Sequence, residues 1–305
     1  MLRTVIAGLN GSPESLAAAD WAAREALLRE EPLRLVHAWQ AQPLVLAPLA
    51  GVYAPPPGSE PERQWAERMS CEVVAGLARR HPELPVTADQ VAEQPVPALL
   101  EAAREAELLV LGSRGLGGLG GFLVGSVAFA VLARAERPVV LVRAKERQDE
   151  PRPDATGTPT TSAPYGDVVL GLDLRKPADP VIEFAFDAAA RRGAPLRVVH
   201  GWSVPPFYEY GTASGPEATS VLAALERNRL AEVLGPWQEK FPGVEVSPQP
   251  VIGGAGRHLV DVSRDASLVV VGSRIRRSPV GSHIGAVTHA VLHHAKAPVA
   301  VVPHG

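Results

Sequence analysis

Gly112-Ser113-Arg114-Gly115 and, after nine intervening residues, Gly125-Ser126 are the residues of this chain best suited to hold a phosphate. Glycine lets backbone N–H groups turn toward one point with no Cβ in the way. A helix N-terminus adds unpaired donors and the positive end of its dipole. The Ser126 hydroxyl is a further donor, and together these groups make a phosphate cradle. An apolar run, Leu108 to Leu111, leads into the first cluster, and Gly125-Ser126 opens a helical run from Val127 to Ala135. A loop so placed sits at the carboxyl end of a parallel strand, where open α/β sheets bind ligands. The pattern Gly-x2-Gly-x9-Gly-Ser is neither a Walker loop, which would need Gly-Lys-Ser/Thr, nor the dinucleotide fingerprint of a first strand.

The elements that position the cradle alternate in kind. Strands are expected at Thr4–Leu9, Leu33–Trp39, Val86–Val91, Leu108–Gly112 and Val139–Val142. Helices are expected at Ser15–Leu28, Glu62–Arg80, Val96–Glu105 and Val127–Ala135. Short β-branched runs separated by helical lengths mean right-handed βαβ crossovers and a doubly wound parallel sheet, an α/β class. The pattern then repeats. Pro32-Leu33-Arg34-Leu35-Val36-His37-Ala38-Trp39 returns as Pro195-Leu196-Arg197-Val198-Val199-His200-Gly201-Trp202, and Gly112-Ser113-Arg114 as Gly272-Ser273-Arg274. Two copies of this length are two domains and not a solenoid. The boundaries predicted are 1–145 and 167–305, joined by a Pro-rich linker at 146–166 too polar to repay its ordering entropy.

The loop spacing, the opening Val5-Ile6-Ala7-Gly8-Leu9-Asn10-Gly11-Ser12 and the second-strand end Leu35-Val36-His37-Ala38-Trp39 together resemble the universal stress protein family, twice over. The resemblance implies the adenine nucleotide alpha hydrolase-like fold with strand order 3-2-1-4-5. It implies ATP, with or without magnesium, as the bound ligand. It places Gly8, Leu9 and Asn10 at the nucleotide, Ala38 where backbone meets adenine, and Leu111, Gly112, Arg114 and Gly115 at ribose and phosphates. Gly125, Ser126 and Val127 complete the cradle. Asn10 stands where the family carries Asp, which keeps an acceptor and loses a charge. Without a ligand, Asn10-Gly11-Ser12 reads as a strand-to-helix turn with Ser12 as cap.

The second copy departs further. Asp173 is present, but Ile275 replaces the second glycine of the loop, Ala286 replaces the hydroxyl residue, and Leu174-Arg175-Lys176-Pro177 replaces the Gly-Ser turn. A β-branched residue resists φ > 0 and crowds a phosphate, so nucleotide is expected mainly in the first domain. Arg276 and Arg277 leave room for anion binding.

Other residues carry blander readings. His289 and His293, with His294 and His283 nearby, have one i,i+4 pair of zinc-site spacing and no third ligand, so helix-end histidines are expected, not a metal centre. His37 and His200 fall in apolar strands, where packing explains them. Cys71 is the single cysteine, expected as a packed thiol among Val73, Val74 and Leu77. No nucleophile elbow, catalytic triad or kinase signature is written, so no enzyme is expected; slow ATP hydrolysis or self-phosphorylation at Ser126 or Ser113 is neither encoded nor forbidden. Net charge is −3, with no basic stripe for nucleic acid. With no membrane-span run and no secretory leader, a cytoplasmic protein is expected. The Pro-rich loop Gln42–Glu60 reads as a surface loop that could lid the nucleotide or dock a partner. Two function classes follow: an ATP-binding stress-response regulator, or a nucleotide-independent protein-interaction module of the same fold.

The last strand of each copy is apolar, and exposed apolar edges are normally covered. In the family resembled, these strands meet across a two-fold axis, so the two domains are expected to pair within one chain, with a homodimer through another face left open. Val140→Lys puts a charge into that contact and should separate the halves or destabilise both. Limited proteolysis alongside thermal unfolding checks it. A Val140→Lys protein with unchanged protection and unchanged midpoint would refute the pairing.

Overall fold

The computed structural model describes residues 4–39, 60–113, 124–144, 165–204, 216–274 and 284–305. The chain divides into two compact units, the described residues up to Ala144 forming the first and those from Tyr165 the second. The linker at 146–164, the loop at 42–59, and Arg114, Gly115, Ile275, Arg276, Arg277 and His283 lie outside the described residues.

The first unit runs β1 (Val5–Gly8), α1 (Pro13–Arg29), β2 (Leu33–Trp39), α2 (Glu60–Arg80), β3 (Val86–Ala92), α3 (Pro95–Glu105), β4 (Leu108–Ser113), α4 (Ser126–Leu132) and β5 (Val139–Arg143). Its strands are ordered 3-2-1-4-5, as expected, and every neighbouring pair is parallel. The second unit repeats this with β6 (Val168–Gly171), α5 (Asp179–Arg192), β7 (Leu196–Trp202), α6 (Pro216–Lys240), β8 (Val246–Ile252), α7 (Ala255–Val262), β9 (Leu268–Arg274), α8 (Ala286–His294) and β10 (Val299–His304). Its strand order, β8-β7-β6-β9-β10, is the same arrangement. Pro248 and Pro250 fall in β8, which pairs with β7 on one side within the unit, so their missing donors cost no ladder bond there.

Central strands are apolar along their length because helices cover both faces. Val5, Ile6, Leu108, Leu109 and Val110 are fully buried, as are Val168, Val169, Leu268 and Val269 in the second unit. α1 lies against them on Ala18, Ala19, Ala22, Ala23 and Ala26, small side chains that admit a close helix–sheet approach. It begins at Pro13, two residues ahead of expectation, because Ser12 caps it: the Ser15 N–H donates to Ser12 Oγ at 3.2 Å. Cys71 corrects an expectation. It is exposed, since the inward stripe of α2 runs through Ala66, Ser70 and Leu77 and leaves Cys71 about 100° off that line.

α1 and α5 end alike, with the chain turning through a left-handed residue and the following N–H reaching back to the helix. Glu31 N–H donates to Ala26 O at 2.9 Å, and Ala194 N–H to Ala189 O at 3.1 Å. The left-handed residue is Gly193 in the second unit, at φ 57°, but Glu30 in the first, at φ 56°. A side chain there costs roughly 1 kcal/mol. Glu30→Gly should therefore raise the stability of the first unit by about that amount, read as a higher urea midpoint at unchanged slope. A lower midpoint would show that the Glu30 side chain contributes more than its backbone costs.

Candidate functional site

In each unit the sheet order reverses between the first strand and the fourth, opening a crevice at their carboxyl ends. In the first unit this crevice is a cavity of about 150 Å³. β1 contributes Gly8, with Leu9 and Asn10 just beyond it; β2 contributes Ala38; β4 contributes Leu111 and Gly112; Gly125, Ser126 and Val127 come from the start of α4. Every residue of the expected site that is described therefore lines one cavity; Arg114 and Gly115 are the two outside. Ser12, Glu14, Ser15, Val36, Pro95, Leu99 and Ala128 line it too and were not foreseen. The Ser12-Pro13-Glu14-Ser15 cap was legible as a helix start that aims at the crevice. Pro95 and Leu99 carry no motif.

The turn leaving β1 is tightly bonded. Asn10 Oδ1 accepts from Ser12 N–H at 3.1 Å, and Asn10 N–H donates to Ser15 Oγ at 3.3 Å. Gly11 sits at φ 78°, a conformation that needs glycine. Beneath the turn, buried His37 donates from Nδ1 to Leu9 O at 2.8 Å and meets Trp65 edge-on. The strand-end glycines have a packing reason. A Cβ on Gly112 would stand 2.5 Å from the Glu14 carbonyl carbon, and one on Gly8 would stand 2.6 Å from Leu111 Cδ2. Their missing side chains let α1 and the core close in, while their backbones still line the cavity. At α4 the N-cap is Gly125, with no side-chain bond to the first turn.

The second unit holds its cavity in the same place, at about 480 Å³. Leu172 and Asp173 follow β6, His200 and Gly201 come from β7, Gly272 and Arg274 from β9, and Gly285 and Ala286 from the start of α8. His200 repeats the buried bond of His37, donating from Nδ1 to Leu172 O at 2.9 Å. Asp173 Oδ1 accepts from Arg175 N–H at 3.0 Å and from its Nε at 3.2 Å, and Arg274 Nη2 lies 4.0 Å from Oδ2. Burial raises the Asp173 pKa, but those bonds and the charges of Arg175 and His200 outweigh it and hold the carboxyl below its usual value. The smaller motif of this copy thus accompanies the larger cavity.

The family model described as universal stress protein family matches residues 1–143 and 164–303. Universal stress protein Rv2005c of Mycobacterium tuberculosis is 36% identical over 304 residues, covering 97% of this chain and 96% of its own. Universal stress protein Rv2623 of the same species is 32% identical over 300 residues, covering 97% and 95%. This chain belongs to the universal stress protein family. A universal stress protein structure from Archaeoglobus fulgidus shares the fold at a TM-score of 0.67 and 17% identity, covering 99% of this chain and 98% of that one.

The rings of His289 and His293 lie 4.3 Å apart, and no group of three or more His, Cys, Asp or Glu suited to a metal occurs among the described residues. No helix among the described residues is long and apolar enough to cross a membrane.

His304, at the end of β10, lines the second cavity, and burial together with the Arg274 charge holds its pKa below the usual 6.5. A lowered base favours the neutral form in the fold. That contribution to stability is full above about 6.5 and is lost as pH falls toward the folded value. An NMR titration should therefore place the His304 midpoint below that of a free imidazole, and Arg274→Gln should move it up. A midpoint that ignores Arg274→Gln would mean the charge does not reach the ring.

Proposed function

We propose that this universal stress protein is a regulatory protein that binds ATP, mainly in its first domain, and carries no catalytic step of its own. What supports the reading is the convergence of Gly8, Leu9, Asn10, Ala38, Leu111, Gly112, Gly125, Ser126 and Val127 on one cavity at the reversal point of the first sheet. Val36, Ala38, Pro95 and Leu99 give one side of that cavity an apolar wall suited to a purine face. Whole-ligand sites usually exceed roughly 300 Å³. The first cavity therefore suits the nucleoside, with the phosphates passing outward by the exposed Ser126 hydroxyl. Magnesium would arrive with those phosphates, since Asn10 offers a neutral oxygen where a carboxylate would give a charged ligand. Cytoplasmic residence and a role in the stress response belong to the same reading.

The rival reading, a nucleotide-independent interaction module, draws on Gly8 and Gly112, whose missing side chains packing already explains, and on Asn10, whose Oδ1 is taken by Ser12. Calorimetric titration of the full chain separates the two. One high-affinity ATP per chain is expected, and Ser126→Ala should weaken it about fivefold, the value of one hydrogen bond near 1 kcal/mol. Heatless titration of folded protein, together with no ATP released on denaturing the freshly purified chain, would give the decision to the interaction module.

A further inference from the structure

The two cavities differ by a missing helical turn. In register with the first unit, α5 would begin at Lys176, the counterpart of Pro13; it begins instead at Asp179. About 4.5 Å of helix is absent. Pro177 drives Lys176 away from helical backbone, and Ala178, standing where Ser15 does, supplies no cap. The consequence appears at Gly272. Where a Cβ on Gly112 would meet the backbone of α1, a Cβ on Gly272 would meet the His304 ring, with Nε2 at 2.9 Å, and Val181 Cγ2 at 3.2 Å. The helix has withdrawn and the cavity has opened.

Withdrawal also changes the charge. Arg175 and Lys176 stand where the first unit has Ser12 and Pro13, whereas Arg274 has its counterpart in Arg114, which lies outside the described residues. The second cavity is lined by Arg175, Lys176 and Arg274 against one carboxylate, Asp173, which both arginines share. An entering anion therefore meets cationic charge that Asp173 does not balance. At the opposite wall, Ala38 and Pro95 of the first unit give way to Gly201 and Ala255, which removes apolar bulk from where a purine would stack.

We infer that the second cavity is a separate site for a compact anion of two or more charges, of the diphosphate type, gripped by Arg175, Lys176 and Arg274 and indifferent to a base. This does not rest on ATP binding in the first domain. The test is calorimetric titration of the full chain with inorganic diphosphate. One equivalent should bind, with affinity falling as salt rises. Arg175→Ala combined with Arg274→Ala should weaken it at least about tenfold, since each removes a charge-assisted contact; Arg175→Gln with Arg274→Gln repeats the test at nearly unchanged side-chain size. Arg104→Ala with Arg137→Ala, in a basic surface hollow of the first unit, should leave binding intact, and adenosine should not displace the diphosphate. No binding, equal binding by both double variants of Arg175 and Arg274, loss through Arg104 and Arg137, or displacement by adenosine would each overturn the assignment.

Discussion

How far the first helix of each unit advances over the glycine that ends the neighbouring strand decides what the crevice can hold. In the first unit Gly112 admits the opening turn of α1 so closely that a methyl group would collide with the Glu14 backbone. The cavity is then narrow, and its floor is made of main chain. The second unit keeps the glycine, but the backbone of α5 stands off, and Val181 of that helix and a histidine from β10 fill part of the space. Strand order and core are shared, so the difference in chemistry traces to the rim: the start of α5, the exchange of Ala38 and Pro95 for Gly201 and Ala255, and His304 at the end of β10.

The shared parts are the ones that cannot vary cheaply. His37 and His200 each donate to the carbonyl that ends the first strand of their unit, fixing the height at which the chain turns over the crevice. Leaving that buried bond unmade would cost about 1–3 kcal/mol. The helix ends are shared as well, down to the left-handed residue, although the first copy places a glutamate there. Backbone geometry has been kept where side-chain identity has not.

Much of this was legible in the residues, for definite reasons. Apolar runs of strand length between alanine-rich helical stretches set the alternation, and the repeated Leu-Arg-x-Val-His and Gly-Ser-Arg segments set the duplication. The strand order and the line of the first site came from resemblance, and the site residues that are described lie together. What escaped was tertiary. Pro95 and Leu99 reach the cavity because α3 packs beside β1, which no local pattern states. Cys71 was read from its apolar neighbours, when a rotation of one residue on α2 puts it outside. The lost glycine and serine of the second copy weaken its nucleotide motif but say nothing of its cavity. The size of that cavity depends on where α5 starts and on His304, which lies far along the chain.

Duplication lets the binding end change while the core stays still, and burial explains why. Val5, Ile6, Leu35 and Leu109 correspond to Val168, Val169, Val198 and Val269, all buried and all aliphatic. Removing such a side chain costs about 2–5 kcal/mol, a large share of the ~5–15 kcal/mol that holds a domain together. The rim is under no such constraint. Ser12, Pro13 and Glu14 have become Arg175, Lys176 and Pro177, and Ser126 has become Ala286, at positions that lie partly or fully in water. Exposed substitutions typically change stability by no more than about 0.5 kcal/mol. The same positions set the charge and width of the crevice, so a second copy can take on a cationic rim at a cost near that of the lost Ser12 cap, about 1 kcal/mol.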